Sequence, residues 1–186
     1  MQSQLETSLR TVIEYLDTQG YRYAIIGGLA LSHWDVVRAT YDVDLKILVP
    51  DNDYQTIRTK LLEAFPDVAR PELPVNSLIV AVSVNDVTVD FLLAIPGYEE
   101  LMIQRAVSSD MGGWSAWFAT AEDLIIQKAI ANRDKDWLDI EALLREQFDN
   151  LDTAYIDEWL VQFAEVLDNP TLIEKYQNVF RRVESM

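Results

Sequence analysis

Tyr23-Ala24-Ile25-Ile26-Gly27-Gly28-Leu29-Ala30, followed by Arg38-Ala39-Thr40-Tyr41-Asp42-Val43-Asp44-Leu45-Lys46-Ile47-Leu48-Val49, is the stretch that decides the fold. A short apolar run meets a glycine pair, and a second apolar run carries two acids one residue apart. In a strand alternate side chains share a face, so Asp42 and Asp44 point together while Val43, Leu45, Ile47 and Val49 point the other way. Two carboxylates held that close repel each other unless a cation lies between them. Such an oxygen pair suits Mg²⁺, which takes one or two protein carboxylates and lets water and substrate phosphates complete its octahedron. The stretch therefore points to metal-assisted phosphoryl or nucleotidyl chemistry.

Working outward, Leu5, Leu9, Val12, Ile13 and Leu16 recur at helical spacing, and Gly20 closes that helix. Tyr21 to Ile26 reads as a strand, turned by Gly27-Gly28 into a helix from about Leu29 to Asp35. The strand Val43 to Val49 stops at Pro50, and Asp51 or Asp53 caps a helix carrying Tyr54, Ile57, Leu61, Leu62 and Phe65. After a loop punctuated by Pro66, Pro71 and Pro74, the runs Leu78 to Val84 and Val87 to Ile95 are joined by Asn85-Asp86, a tight antiparallel hairpin. Val87, Val89, Phe91 and Leu93 share one face of the second run. Asp90 falls on the other face, a charge that should not sit in an apolar strand without a partner. Ser108 to Gly113 reads as a turn, not a phosphate loop, because no basic residue follows it.

From Thr120 onward the pattern is helical. Thr120-Ala121-Glu122-Asp123 is a capping box. Helices are expected through Lys128, from Trp137 to Leu144, from Ala154 to Leu167 and from Thr171 to Val183, with Asn169-Pro170 separating the last two. If Leu124 to Ile140 were one helix, Lys128, Asp136 and Asp139 would share a face. The fold class read from this order is α/β (α+β): a small mixed twisted sheet with flanking helices over residues 1–119, followed by a helical half over 120–186.

Composition narrows the function. The 186 residues suffice for one sizeable core or a core with a helical appendage, and 49% hydrophobic with 25% charged residues is ordinary for a globular domain. No apolar run is long enough for a bilayer, and Met1 to Glu6 has no charged-then-apolar signal pattern, so no membrane partner and a cytoplasmic location are expected. The absence of cysteine removes disulfides, thiolate metal sites and cysteine nucleophiles. His33 is the single histidine, which excludes His-based metal clusters and Ser-His triads. With 31 acidic against 15 basic residues the net charge is -16, so an extended DNA interface is not expected. Trp114, Trp117, Trp137 and Trp159 lie among apolar neighbours and are expected to anchor the core.

Asp42, Asp44 and Asp90 together suit a two-metal site, with the first two sharing the ions and Asp90 on the side of the attacking hydroxyl, where it can take the proton. Gly27-Gly28 sits at a strand-to-helix turn, where small residues let phosphate approach backbone N–H groups. Ile26-Gly27-Gly28-Leu29-Ala30, Arg38-x-Thr40-x-Asp42-x-Asp44-Leu45 and Val89-Asp90-Phe91 resemble the nucleotidyltransferase superfamily that includes DNA polymerase β. Within it the chain is similar to the AbiEii-like group, known as toxins of bacterial toxin–antitoxin and phage-defence systems. Glu122 to Ile140 resembles that group's Lys, Arg and Lys-Asp pattern. The resemblance spans about residues 21 to 145, and Trp34-Asp35-Val36-Val37 replaces a glycine the family carries before the arginine.

The resemblance implies Mg²⁺-dependent transfer of a nucleoside monophosphate from an NTP to a hydroxyl acceptor, with two ions on Asp42, Asp44 and Asp90. It assigns Gly27, Gly28, Thr40, Lys128, Arg133 and Asp136 to the nucleotide and its phosphates, and the helical half to closing the cleft. Arg38 either holds phosphate or pairs with Asp42. The acceptor is an RNA end or a protein, and an antitoxin partner goes with that reading. A small cationic molecule is the alternative acceptor, and a non-catalytic binding partner with this fold is the reading from another class.

Overall fold

Residues 3–74 and 77–186 are described by the computed structural model, and their contacts divide the chain into two units. The first unit comprises Met1–Leu29 and Ala39–Ala119, the second Ala30–Arg38 and Thr120–Met186. The chain leaves the first unit after Leu29 and returns after Arg38.

The first unit is built on a six-stranded sheet. Helix α1 (Gln4–Gln19) is capped by the Ser3 hydroxyl, which accepts from the Glu6 N–H, and ends at Gly20 in the left-handed region at φ 71°. The elements that follow are β1 (Tyr23–Ile26), α2 (Gly27–His33), β2 (Asp42–Ile47), α3 (Tyr54–Ala64), β3 (Ile79–Val84), β4 (Val87–Leu93), α4 (Tyr98–Arg105), β5 (Val107–Asp110) and β6 (Ser115–Phe118). The strands lie in the order β3-β4-β2-β1-β6-β5. β2 is parallel to β4 and β1 to β6, while β1–β2, β3–β4 and β5–β6 are antiparallel. The mixed sheet matches the architecture read from the sequence.

Asn85 and Asp86 join β3 to β4 with φ of 50° and 61°, the pair of left-handed residues that a two-residue hairpin with native twist requires. Asp53 is the residue that caps α3, accepting from the Thr56 N–H at 3.0 Å. Val43, Leu45, Ile47, Val89, Phe91 and Leu93 are buried on one face of the sheet. Phe91 stacks on Phe65 with ring centroids 5.8 Å apart, and Phe65 meets Tyr15 of α1 edge-on at 5.2 Å, so α1 and the end of α3 seal that face. On the opposite face Lys46 of β2 is buried against Glu99 of α4 at 2.5 Å. That helix therefore covers the lower end of the acid-bearing face.

Two features of this unit were not read from the sequence. α4 is only eight residues long, and its start is fixed by carboxylates: Glu99 accepts from the Ile95 N–H at 2.8 Å and Glu100 from the Gly97 N–H at 3.2 Å. The β5–β6 hairpin contains the expected turn at Gly112-Gly113, whose N–H groups both bond Asp110 Oδ1. Ser108 to Asp110 is nonetheless strand, held by pairing with β6.

The second unit carries α5 (Ala121–Ala131), α6 (Asp134–Gln147), α7 (Thr153–Val166) and α8 (Thr171–Glu184). Thr120 caps α5 as expected, its hydroxyl accepting from the Asp123 N–H at 3.2 Å. A single helix from Leu124 to Ile140 does not form. Asn132 takes the left-handed conformation at φ 53° and ends α5, and Asp136 then accepts from the Arg133 N–H at 3.2 Å to start α6. The tryptophans do not anchor the core either. Trp117 is 45% exposed, and Trp114, Trp137 and Trp159 are half-buried. Trp137 donates its indole N–H to the Asn132 side-chain Oδ1 at 2.9 Å, and the interior is filled by aliphatic, Phe and Tyr side chains instead. Among the described residues no helix is long and apolar enough to cross a membrane.

Candidate active site

Register between β2 and β4 brings the three acids together. Asp44 is the direct neighbour of Asp90, and Asp42 lies beside Thr88. Paired residues of neighbouring strands project to the same face, so Asp42, Asp44 and Asp90 form one acidic patch on the first unit's sheet. The opposite face is apolar core, which is why a one-residue slip in either strand would be costly.

Each carboxylate is set by a different neighbour. Asp42 Oδ1 accepts from the Thr40 hydroxyl at 3.0 Å. Asp44 lies against Gly27: a Cβ at that glycine would stand 2.1 Å from Asp44 Oδ2. Gly28 is needed for a similar reason, since its Cβ would fall 2.5 Å from the Thr40 hydroxyl oxygen. The glycine pair thus makes room for the Asp44 carboxylate and for the Thr40 hydroxyl that donates to Asp42. Gly27→Ala would also have to hold φ 64°, which costs an L-residue about 1–2 kcal/mol. We expect that variant to melt at a lower temperature and to move Asp44, read as a thermal shift together with weakened Mg²⁺-dependent NTP binding in titration calorimetry.

Asp90 is 5% exposed. Its Oδ2 accepts from Arg70 Nη2, while its Oδ1 is buried with no hydrogen-bond partner. Burial pushes its pKa up and the Asp42 charge adds to this, against the opposing pull of Arg70. A buried carboxylate oxygen without a partner is rare and calls for one. Arg70 was not read from the sequence, although Asp90 signalled that some partner was needed.

The donor set fits a hard divalent cation. It offers carboxylate oxygens on one face, one of them without a protein partner, and a glycine-lined approach to Asp44. Among the described residues no three His, Cys, Asp or Glu side chains are arranged to hold a metal ion by themselves.

The remaining candidates form a separate cluster in the second unit. Lys128 donates to Asp139 Oδ2 at 2.6 Å and lies 3.7 Å from Asp136 Oδ1. Arg133 grips Asp136 with two bonds, Nε to Oδ2 at 2.6 Å and Nη2 to Oδ1 at 3.0 Å. Arg38 pairs with Asp139 at 2.7 Å, so its carboxylate partner is this one and not Asp42. Lys128, Asp136 and Asp139 do meet, but by packing of two helices and not along one. The structure therefore places Gly27, Gly28, Thr40, Asp42, Asp44 and Asp90 in the first unit. Arg38, Lys128, Arg133 and Asp136 lie in the second.

Residues 3–184 match the family model described as "Nucleotidyltransferase of unknown function (DUF6036)". Among solved structures, an antigenic nucleotidyltransferase-like protein from Paracoccidioides brasiliensis superposes with a TM-score of 0.52. That match has 20% sequence identity and covers 94% of this chain and 92% of the other. At that identity the likeness is one of fold. No curated protein matches the chain.

Proposed function

Because the chain belongs to this nucleotidyltransferase family, whose model matches nearly its whole length, we propose that it is an enzyme transferring a nucleoside monophosphate from an NTP to a hydroxyl acceptor. The observation that carries this reading is the alignment of Asp42, Asp44 and Asp90 on one sheet face, with Asp90 Oδ1 buried and unpartnered. Asp42, Asp44 and Asp90 would hold Mg²⁺, two ions in the two-metal form of this chemistry. When bound, Mg²⁺ neutralises the triphosphate and the developing charge on the leaving pyrophosphate.

The chain's own residues supply orientation. Thr40 fixes Asp42, and the bare backbone at Gly27 and Gly28 leaves Asp44 and Thr40 their places. The acceptor oxygen attacks the α-phosphorus, the bond to the pyrophosphate oxygen breaks, and the hydroxyl proton passes through the carboxylate site to solvent. Lys128, Arg133 and Asp136 are proposed to serve the nucleotide from the helical unit.

For the acceptor, the AbiEii-like resemblance supports an RNA end or a protein hydroxyl in a toxin–antitoxin setting. A specific observation favours a second reading. With a net charge of -16 and Arg70 as the cation paired to the acidic patch, a small cationic hydroxyl compound suits the charge better than a polyanion does.

Calorimetric titration of each NTP with and without Mg²⁺ tests the core of the proposal. Binding of at least one NTP that requires Mg²⁺ is the expected result. Absence of binding for all four, in the presence of Mg²⁺ and of candidate acceptors, would move the chain to the non-catalytic reading.

A further inference from the structure

Arg70 reaches Asp90 by a specific route. The Ser83 N–H donates to the Asp67 carbonyl at 2.6 Å and the Ala69 N–H to the Ala81 carbonyl at 3.0 Å. Val68 bridges Val82 between them, so residues 67–69 run as a short antiparallel extension beside β3. Ala81 in turn lies in register with Asp90 on β4. The residue that follows the Ala69–Ala81 bond therefore emerges next to Asp90, and it is an arginine.

The consequence is an asymmetry between two oxygens of one carboxylate. Oδ2 is taken by a guanidinium that cannot give up its charge, and Oδ1 is buried without a partner. A carboxylate gripped at one oxygen keeps its other oxygen, here Oδ1, as the one with both lone pairs open to a ligand. Outer partners of this kind orient metal-ligating carboxylates, and their loss costs about 10–100-fold in metal affinity. The Arg70 side chain is 39% exposed and that of Asp90 7%, so the pair is half-buried and Arg70 also screens an otherwise unpartnered carboxylate.

We propose that Arg70 is a positioning residue that holds Asp90 by Oδ2, so that Oδ1 is the oxygen presented to a divalent cation. The inference rests on the reading of Asp42, Asp44 and Asp90 as metal carboxylates.

Mn²⁺ alone is the probe, titrated into the full chain and followed by the electron paramagnetic resonance signal of the free ion. Wild type, Arg70→Ala, Arg70→Lys, Asp90→Ala and the double variant Arg70→Ala/Asp90→Ala are compared, with melting temperatures recorded for each. Arg70→Ala is expected to weaken Mn²⁺ binding by about tenfold or more, with partial rescue by added methylguanidinium. In the Asp90→Ala background the same substitution should change nothing further, because its effect passes through Asp90. Should Arg70→Ala not fold, Arg70→Lys answers in its place: it keeps the charge, loses the fork, and is expected to weaken Mn²⁺ binding as well.

Two results overturn the proposal while leaving the metal reading intact. One is unchanged or tighter Mn²⁺ binding by the folded Arg70 variant. The other is an equal loss with and without Asp90, which marks a general structural contribution. Failure of wild type to bind Mn²⁺ overturns both.

Discussion

Asp44→Asn is expected to lower nucleotidyl transfer by at least about 10³-fold, equivalent to about 4 kcal/mol of transition-state stabilisation. The substitution removes one charge and keeps the shape. Asparagine fills the same space against the Gly27 backbone, where the glycine leaves room for a carboxylate and for no Cβ of its own. Stability should therefore hold or rise slightly. Asp42, Asp44 and Asp90 set like charges on one face of the sheet. Removing one of those like charges favours the folded state at neutral pH. Transfer of label from an α-labelled NTP to RNA, protein and small-molecule acceptors reads the first effect, and thermal unfolding at pH 7 the second. An active Asp44→Asn enzyme would remove Asp44 from the metal assignment. A variant that is inactive but also unfolded would leave only a structural role for the residue.

What could be read from the chain alone follows from which signals are local. Alternation along β2 needs no distant information, so the pairing of Asp42 with Asp44 was legible, as were the Asp53 and Thr120 caps and the Asn85-Asp86 turn. The position of Asp90 beside Asp44 depends on a parallel register between strands more than forty residues apart in sequence, yet its isolation among apolar residues announced it. Arg70 carried no such signal. It lies in an irregular segment between prolines, and only its bond pattern to β3 brings it to Asp90. β5 escaped notice because a four-residue polar edge strand has no hydrophobic pattern to show. The break at Asn132 was visible in principle. An asparagine that can adopt αL, followed by an acid three residues into the next helix, is a stop and a start. Helical periodicity on both sides concealed it, and the partner of Arg38 stayed hidden because Asp139 lies one hundred and one residues away.

The cluster around Lys128 sets the second large expectation, on stability. Lys128 is buried with its side chain 10% exposed, and Asp136 is fully buried. Asp136 is held twice by Arg133 and once through a backbone N–H, so it retains partners if Lys128 is lost. Lys128 is less secure. Without Asp139 its ammonium would keep only Asp136 at 3.7 Å, an oxygen already shared with Arg133. Asp139→Ala is therefore expected to destabilise the helical unit by about 3 kcal/mol, near the low end for breaking a buried pair. Lys128→Met/Asp139→Leu should recover much of that loss, because it removes both charges and fills the space.

Acid adds an independent check on the same network. Burial pushes the Asp136 pKa up, but hydrogen bonds and charge from Arg133, with Lys128 behind them, bring it below the ordinary carboxylate value. A depressed carboxylate pKa contributes stability that is complete above the unfolded value, near 4, and is lost as pH falls through the folded one. Urea midpoints from pH 6 to pH 3 should fall less steeply in Asp136→Asn than in wild type. A loss under about 1 kcal/mol for Asp139→Ala would mean that the Lys128 ammonium finds water by itself, contrary to its burial. The recovered double variant also separates scaffold from substrate contact. Unchanged NTP affinity would assign Lys128 to the helical network, whereas a fall in affinity with stability restored would assign it to the nucleotide.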